Sequence, residues 1–449
     1  MKIAWLIFCL CAPLLATPIV QEKPSSAQFE FEVHNPARRH SKVKCLFMVI
    51  GTHKHLTQLA KLIQFDLEFS DQLELDIKRN DTELDQAILA KLFTKQDVSL
   101  CLYLEEVKDN PKKQHVTVKA VLKEPFSGAT MFEKQYHLPE NALIHHAHRI
   151  SDELMPTLTG QKGPMLSTLA YCKQISPRHK VVCVSDYACR LEKIVVPAAT
   201  INVAPCWHSH APVLFYSQFT RSNSRLMSLD LNAKTNKIIC SYDGLNMQPS
   251  FSPDGSKAVL CLSGRGNSEL YFYDQGICNK LKRRVFQQMT NNKGNNVSPC
   301  YLPNGDVVFC SDYQSGFPQI YYMDHKTKTT RRLTNGRGYC AAPAHCAANN
   351  GIVYTRYVHG VFQLFTIDLS ASTPRERQLT FTAGDKVEPT WSECGKYVAF
   401  TYNYLDTAIK KKANQIAVLN IPSGKIRVLT TSKEPKSFPA WTNRSLYQA

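Results

Sequence analysis

His145, His146 and His148 stand close together, and on a helix His145 and His148 would share one face. Two imidazoles can begin a metal site, but two ligands do not complete one. The expectation is therefore ordinary helix histidines, solvated or half-buried, and no metal is assigned. The chain of 449 residues contains no H-E-x-x-H pair, no Walker loop, no G-x-S-x-G elbow and no twelve-residue EF-hand loop. Zinc peptidase, P-loop and serine-hydrolase chemistry thus lack their residues, and neither catalytic residues nor a cofactor are assigned. His208 and His210 follow Trp207 in a turn and read as surface residues.

Other reactive groups are the 16 cysteines. Cys183 and Cys189 are six apart, as are Cys340 and Cys346, which is not the CxxC spacing of a redox or zinc site. They read as buried hydrophobes with some disulfides, whose pairing spacing alone leaves open. Basic runs at 280–284 and 410–412 add to a net charge of +17. Basic clusters can serve nucleic acid. The start of the chain argues otherwise.

Residues 1–17 read MKIAWLIFCLCAPLLAT, a lysine, a short apolar run and a small residue. That is the plan of a secretory signal, too short to span a bilayer. An exported protein rarely meets nucleic acid, so the basic runs read as solvated loops and the charge as attraction to anionic envelope polymers. No transmembrane segment is expected once the signal is removed. Residues 18–42, polar and with Arg38-Arg39-His40, read as a flexible tail.

The elements that position the remaining residues come from a repeat. Pro-x-aromatic recurs at Pro205-Cys206-Trp207, Pro249-Ser250-Phe251, Pro299-Cys300-Tyr301, Pro389-Thr390-Trp391 and Pro439-Ala440-Trp441, with His345 taking the aromatic place after Pro343. Successive prolines are 44, 50, 44, 46 and 50 residues apart. Each repeat continues through a turn such as Asp254-Gly255 or Asn304-Gly305, then short β-type runs, one ending in Asp or Asn and a last one such as RRLT (331–334). Four strands per period of this length predict propeller blades. A single such sheet has two apolar faces, and only neighbouring sheets can cover both. The segment 166–196 lacks its first strand, and 437–442 is a first strand without the rest. Joining them predicts six blades over 161–449, closed by the C-terminal strand.

Ahead of the blades, 43–160 predicts a small α/β domain. Its strands lie near 44–50, 98–104, 116–122 and 132–137. Its helices lie over 56–69, 84–93 and 143–158.

These residues resemble the TolB family of the periplasmic Tol–Pal system. The resemblance rests on QPSFSPDG (248–255), LYFYD and IYYMD, LTG at 158–160, VSDY at 184–187 and FPAW at 438–441. It departs in the full SPDG kept by one unit, in His345 and in the many cysteines. The resemblance implies a non-enzymatic periplasmic protein that binds the peptidoglycan-associated lipoprotein Pal through its propeller. It also implies a tail that contacts the α/β domain or the inner-membrane protein TolA, coupling the two membranes during division. Here Ile19, Val20, Phe29 and Phe31 are the apolar points of that tail. The connections between blades, containing Asn246, Asn296, Tyr339 and Lys386, must gather at one face around the central opening, which makes them partner-binding candidates. A propeller that binds a small ligand, or acts as a lyase or hydrolase, through its central channel stays open as the other reading.

Overall fold

The computed structural model describes residues 30–31, 42–80, 98–107, 115–139, 142–336, 338–371, 374–406 and 411–445. The signal segment, the helix expected over 84–93, and Ile19, Val20 and Phe29 of the tail lie outside the described residues.

The N-terminal part is a five-stranded sheet in the order Leu73–Asn80, Val43–Ile50, Leu100–Val107, His115–Lys123, Thr130–Pro139. The first three strands are parallel and the rest antiparallel. Strand Leu73–Asn80 is an addition to the expectation. Its LELDI alternation is short and half polar, so periodicity gives it little weight. Helices α1 (Leu56–Phe69) and α2 (Leu143–Thr159) contact each other. Leu56, Leu59, Ile63 and Leu67 bury the apolar stripe of α1. Gly160, with φ +74°, ends α2 where a side chain would be strained.

After Gly160 the described strands sort into four-stranded antiparallel groups. Group I holds Thr168–Ser176, His179–Asp186 and Lys193–Val196, with Lys436–Thr442 from the far end of the chain as its first strand. Group II runs Ile201–Trp207, Val213–Phe219, Ser224–Asp230, Thr235–Cys240 and touches group I through one parallel pair, Ile201 with Lys180. Group III runs Asn246–Phe251, Lys257–Leu262, Glu269–Asp274, Phe286–Gln288. Group IV is Asn296–Tyr301, Val307–Ser311, Gln319–Met323, Thr330–Arg332. Group V is Cys340–Cys346, Gly351–Val358, Val361–Asp368, Glu376–Gln378. Group VI is Asp385–Trp391, Tyr397–Asp406, Lys411–Asn420, Ile426–Val428, and Glu30–Phe31 of the tail adds a fifth strand at its edge. Group III also contains a short helix, α3 (Gln275–Leu281), where the sequence reading had only loop and strand.

The repeated proline has a local cause and a local effect. Proline has no N–H to give a β-ladder, so a strand must bulge to hold one. In each first strand the residue before that proline is Ala204, Gln248, Ser298, Ala342, Glu388 or Phe438, all with φ between +50° and +57°. Pairing slips at the same place in all of them. The slip re-aims the aromatic that follows. The indole N–H of Trp207 then donates to Ala440 O at 3.0 Å, and that of Trp391 to Ala344 O at 3.0 Å, each across to the neighbouring group. His345 fills the aromatic place with a hydrogen bond to Asn350.

Trp441 is 8% exposed and its indole N–H donates to Ser167 Oγ at 2.6 Å, which ties the last strand to the start of group I. Trp441→Ala should cost about 3–5 kcal/mol in urea unfolding. A loss below about 1 kcal/mol would show that group I does not depend on its terminal strand.

Candidate interaction face

In groups II to VI the last strand of one group leads to the first strand of the next along the same edge as the hairpins joining second and third strands. The backbone ties them: Ser263 N donates to Leu245 O at 3.1 Å and Tyr357 N to Tyr339 O at 2.9 Å. A side-chain device also recurs. Thr334, Thr380 and Thr430 each donate a hydroxyl to Gln319, Gln363 and Gln415 at 2.7 Å. Gln363 and Gln415 in turn donate to Thr382 O at 2.8 Å and Ser432 O at 2.7 Å, within the inter-group connections, and Gln319 bonds Gly338 O in the same way. In group III Glu269 takes the glutamine's place as an acceptor only, from the Thr290 hydroxyl and from Asn292 N at 3.3 Å in the connection. The connections are thereby held by side chains rather than left to solvent.

Asn246, Asn296 and Lys386 stand at this face but inside the first strands, and each is fully buried. Asn246 accepts from Tyr242 N at 3.0 Å and donates to Ser224 O at 2.9 Å and Tyr242 O at 2.7 Å. Asn296 donates to Glu269 Oε2 at 2.9 Å and Asn292 Oδ1 at 3.0 Å. Lys386 Nζ donates to Ala383 O and Gly384 O, both at 2.9 Å, and to Thr382 O, and lies 5.2 Å from the centre of the Tyr402 ring. Burial, against the charge of Asp385, pulls its pKa down to about 7. These three residues are three positions before their prolines. Asn202, Cys340 and Lys436 hold the same position and are also buried, and the proline spacing alone would have found them. Tyr339 falls one residue before Cys340, half-buried, with its ring edge-on to Phe362 at 5.6 Å. Phe31 pairs with Ile426 at the edge of group VI, away from these connections.

Among charged residues such as Arg221, Arg265 and Lys433, this face also exposes apolar ones. Tyr242, Tyr313, Phe317, Tyr357, Phe381 and Leu405 are 39–62% exposed and lie on its connections or beside its hairpins. Single exposed apolar residues are ordinary, and it is their sharing of one face that makes this face the candidate contact surface.

The α/β part docks at the opposite edge. The Phe69 ring meets Tyr187 edge-on at 5.0 Å and Tyr397 at 5.3 Å. Asn420 donates to Ser70 O at 2.9 Å, and Lys425 pairs with Asp71 at 3.0 Å. At the centre, His148 Nδ1 is 2.8 Å from Asp66 Oδ2 and Nε2 is 3.1 Å from Asp186 Oδ2, while Tyr187 donates to Asp66 Oδ1 at 2.6 Å. This corrects the histidine reading: His148 is buried between two carboxylates, and its neighbour His145 is not part of the arrangement. Burial pulls the His148 pKa down, but the charge of Asp66 and hydrogen bonds to both carboxylates outweigh it and lift it to about 9. Burial pushes Asp186 up, yet His148 and the Leu191 N–H hold it below the ordinary carboxylate value.

The central opening has a volume of about 150 Å³ and is walled by the bulge prolines with Gln248, Ser298 and Glu388. Glu388 accepts from Thr401 at 2.6 Å and Phe438 N at 2.7 Å; burial raises its pKa against those bonds. Ser298 donates to Gln248 at 3.1 Å. Among the described residues no group of three His, Cys, Asp or Glu could hold a metal ion, all 14 cysteines are free thiols, and no helix is long and apolar enough to cross a membrane.

A family model described as TolB beta propeller domain matches residues 155–444. The Tol-Pal system protein TolB of Francisella tularensis subsp. mediasiatica is 27% identical over 306 residues, covering 65% of this chain and 69% of that protein. The protein of the same name in F. tularensis strain SCHU S4 is also 27% identical, over 65% and 68% of the two chains. The solved structure of TolB from Acinetobacter baumannii superposes with a TM-score of 0.76 at 21% identity, over 90% of this chain and 97% of that one, which shows a shared fold.

The His148 arrangement has a pH signature. A folded pKa of about 9 against an ordinary 6.5 means its stabilisation is complete below pH 6.5 and lost as pH rises through 9. The unfolding free-energy difference between wild type and His148→Gln should therefore shrink by about 3 kcal/mol from pH 6 to pH 9.5. A constant difference would mean that His148 is neutral in the fold.

Proposed function

The chain belongs to the TolB β-propeller family, and we propose that it is a non-enzymatic interaction platform of the Tol–Pal cell-envelope system, working in the periplasm. In this reading 1–17 is the export signal, 18–42 the tail, 43–160 the α/β domain and 161–449 a six-bladed propeller closed by its own C-terminal strand. The recurrence of one proline bulge in every first strand, and the pairing of Lys436–Thr442 with Thr168–Ser176, support that count and that closure.

The observation that carries the function is the exposed apolar set on the face opposite the α/β part. Its partner is the peptidoglycan-associated lipoprotein Pal. Tyr339 stands at this face, half-buried and close to the exposed set, while Asn246, Asn296 and Lys386 hold the connections in shape beneath it. The tail, through Ile19, Val20 and Phe29, serves TolA or the α/β domain, while Phe31 is taken up at the edge of group VI. The channel reading has less support. An opening of about 150 Å³ falls short of the roughly 300–1,000 Å³ of small-molecule sites, and its polar side chains already bond one another or the backbone.

Affinity capture from cell envelopes tests the reading. A peptidoglycan-binding lipoprotein should be recovered, and Phe317→Ser with Phe381→Ser should weaken that capture at least about tenfold while leaving the unfolding midpoint unchanged. Undiminished capture by the double variant would move the docking site elsewhere, and a copurifying metabolite that is turned over would favour the channel.

A further inference from the structure

The basic run at 280–284 has no part in the face described above. It lies on the outer rim of group III, at and beyond the end of α3. Asp274 caps α3 by accepting from Ile277 N at 3.1 Å, and Lys282, with φ +51°, turns the chain out of the helix. Lys280, Leu281, Lys282 and Arg283 are left exposed at that turn. Arg284 then reaches sideways: its Nη1 donates to Ile238 O at 2.9 Å and to Ile239 O at 2.7 Å in the last strand of group II. That strand brings exposed Lys237 and Ile238, and Lys234 sits in the turn before it.

One rim therefore gathers cations from two groups. No Asp or Glu occurs in 231–242 or in 275–305. Of the flanking acids, Asp230 accepts from Asn232 N and Ala233 N and Asp274 caps α3, while Asp243 stands exposed beyond the far end of the group II strand. Between the cations stand two bare aliphatic side chains, Ile238 at 46% and Leu281 at 51% exposure.

We propose that this rim docks on an anionic lipid bilayer. Charge alone would suit an acidic polymer equally well. The aliphatic pair favours the bilayer: a polysaccharide has little to bury against exposed Leu and Ile, and an acidic peptide would need apolar side chains of its own matched to both, whereas a lipid headgroup layer accepts both at once without any matched sequence. Short apolar groups enter the acyl boundary, and lysine stems lie along it with their ammonium groups among the phosphates. Each cation near such a surface adds several-fold to binding, and the sum is sensitive to salt. The proposal does not rest on the Tol–Pal reading, because it needs only the chain and a membrane.

Vesicle co-sedimentation of the full chain tests it. Binding is expected to vesicles with roughly 30% phosphatidylglycerol and not to phosphatidylcholine alone, and to fade between about 0.05 M and 0.5 M salt. Lys280→Glu/Lys282→Glu/Arg283→Glu should lower it at least about tenfold. Ile238→Ser/Leu281→Ser, which leaves the charge unchanged, should lower it several-fold, and this pair keeps the test open if the charge-reversed variant fails to fold. Charge reversal of the lysines at 410–412 should leave binding near wild type. Three results would each overturn the proposal: no binding to phosphatidylglycerol vesicles, an equal loss from the 410–412 variant, or full binding retained by the Ile238/Leu281 variant.

Discussion

A proline cannot donate to a β-ladder, and in this chain that single deficit recurs at the same place in every first strand of the propeller part. The strand bulges, and a non-glycine residue is forced to positive φ. Such a conformation costs of order 1 kcal/mol per residue and persists only where surroundings over-determine it. Here the surroundings are the adjacent groups. The bulge turns an aromatic ring toward its neighbour, and the indoles of Trp207 and Trp391 are fixed by a carbonyl of the next group. The same register places the residue three before each proline inward, where it holds the connection above it. Local strain, packing between sheets and the shape of the loops thus share one origin.

This explains which parts of the molecule were legible in the sequence. The repeat could be read because it is spelled in residue types with fixed spacing, and the pairing of the last strand with the first group followed from two incomplete units. The role of Asn246, Asn296 and Lys386 was legible only in position. A lysine in a polar stretch reads as exposed, because burying an ammonium group is costly. Lys386 is buried all the same, since three carbonyls of its own loop accept hydrogen bonds from its amine. That convergence depends on how the loop folds, and no spacing encodes it.

The joint to the α/β part was illegible for a different reason. Asp66, His148 and Asp186 come from two helices and a propeller strand, far apart in the chain, and although Asp186 lies in VSDY (184–187), nothing in that motif names its partners. A buried ion pair is weak evidence of net stability, because desolvation offsets much of the attraction. Its effect is orientation. Removing any one member would leave a charge buried without its partner, so the α/β part has a single favoured seat against groups I and VI. The surrounding apolar cluster, with Phe69, Tyr187, Tyr397 and Trp441, supplies the burial that makes that seat stable.

The two ends of the propeller sheets therefore have different physical characters. One end is spent on an internal contact, dense with buried rings and a buried cation. The other ends in connections that are already hydrogen-bonded to the sheets beneath them, with aromatic side chains left over. Binding costs free energy for every loop that must be ordered. A face whose loops are fixed by Gln–Thr pairs and by Asn246 and Lys386 avoids most of that cost before any partner arrives. Its exposed rings then contribute apolar area that only a partner can cover. The α/β part cannot be that partner in the same conformation, because it is held at the far end of the same strands.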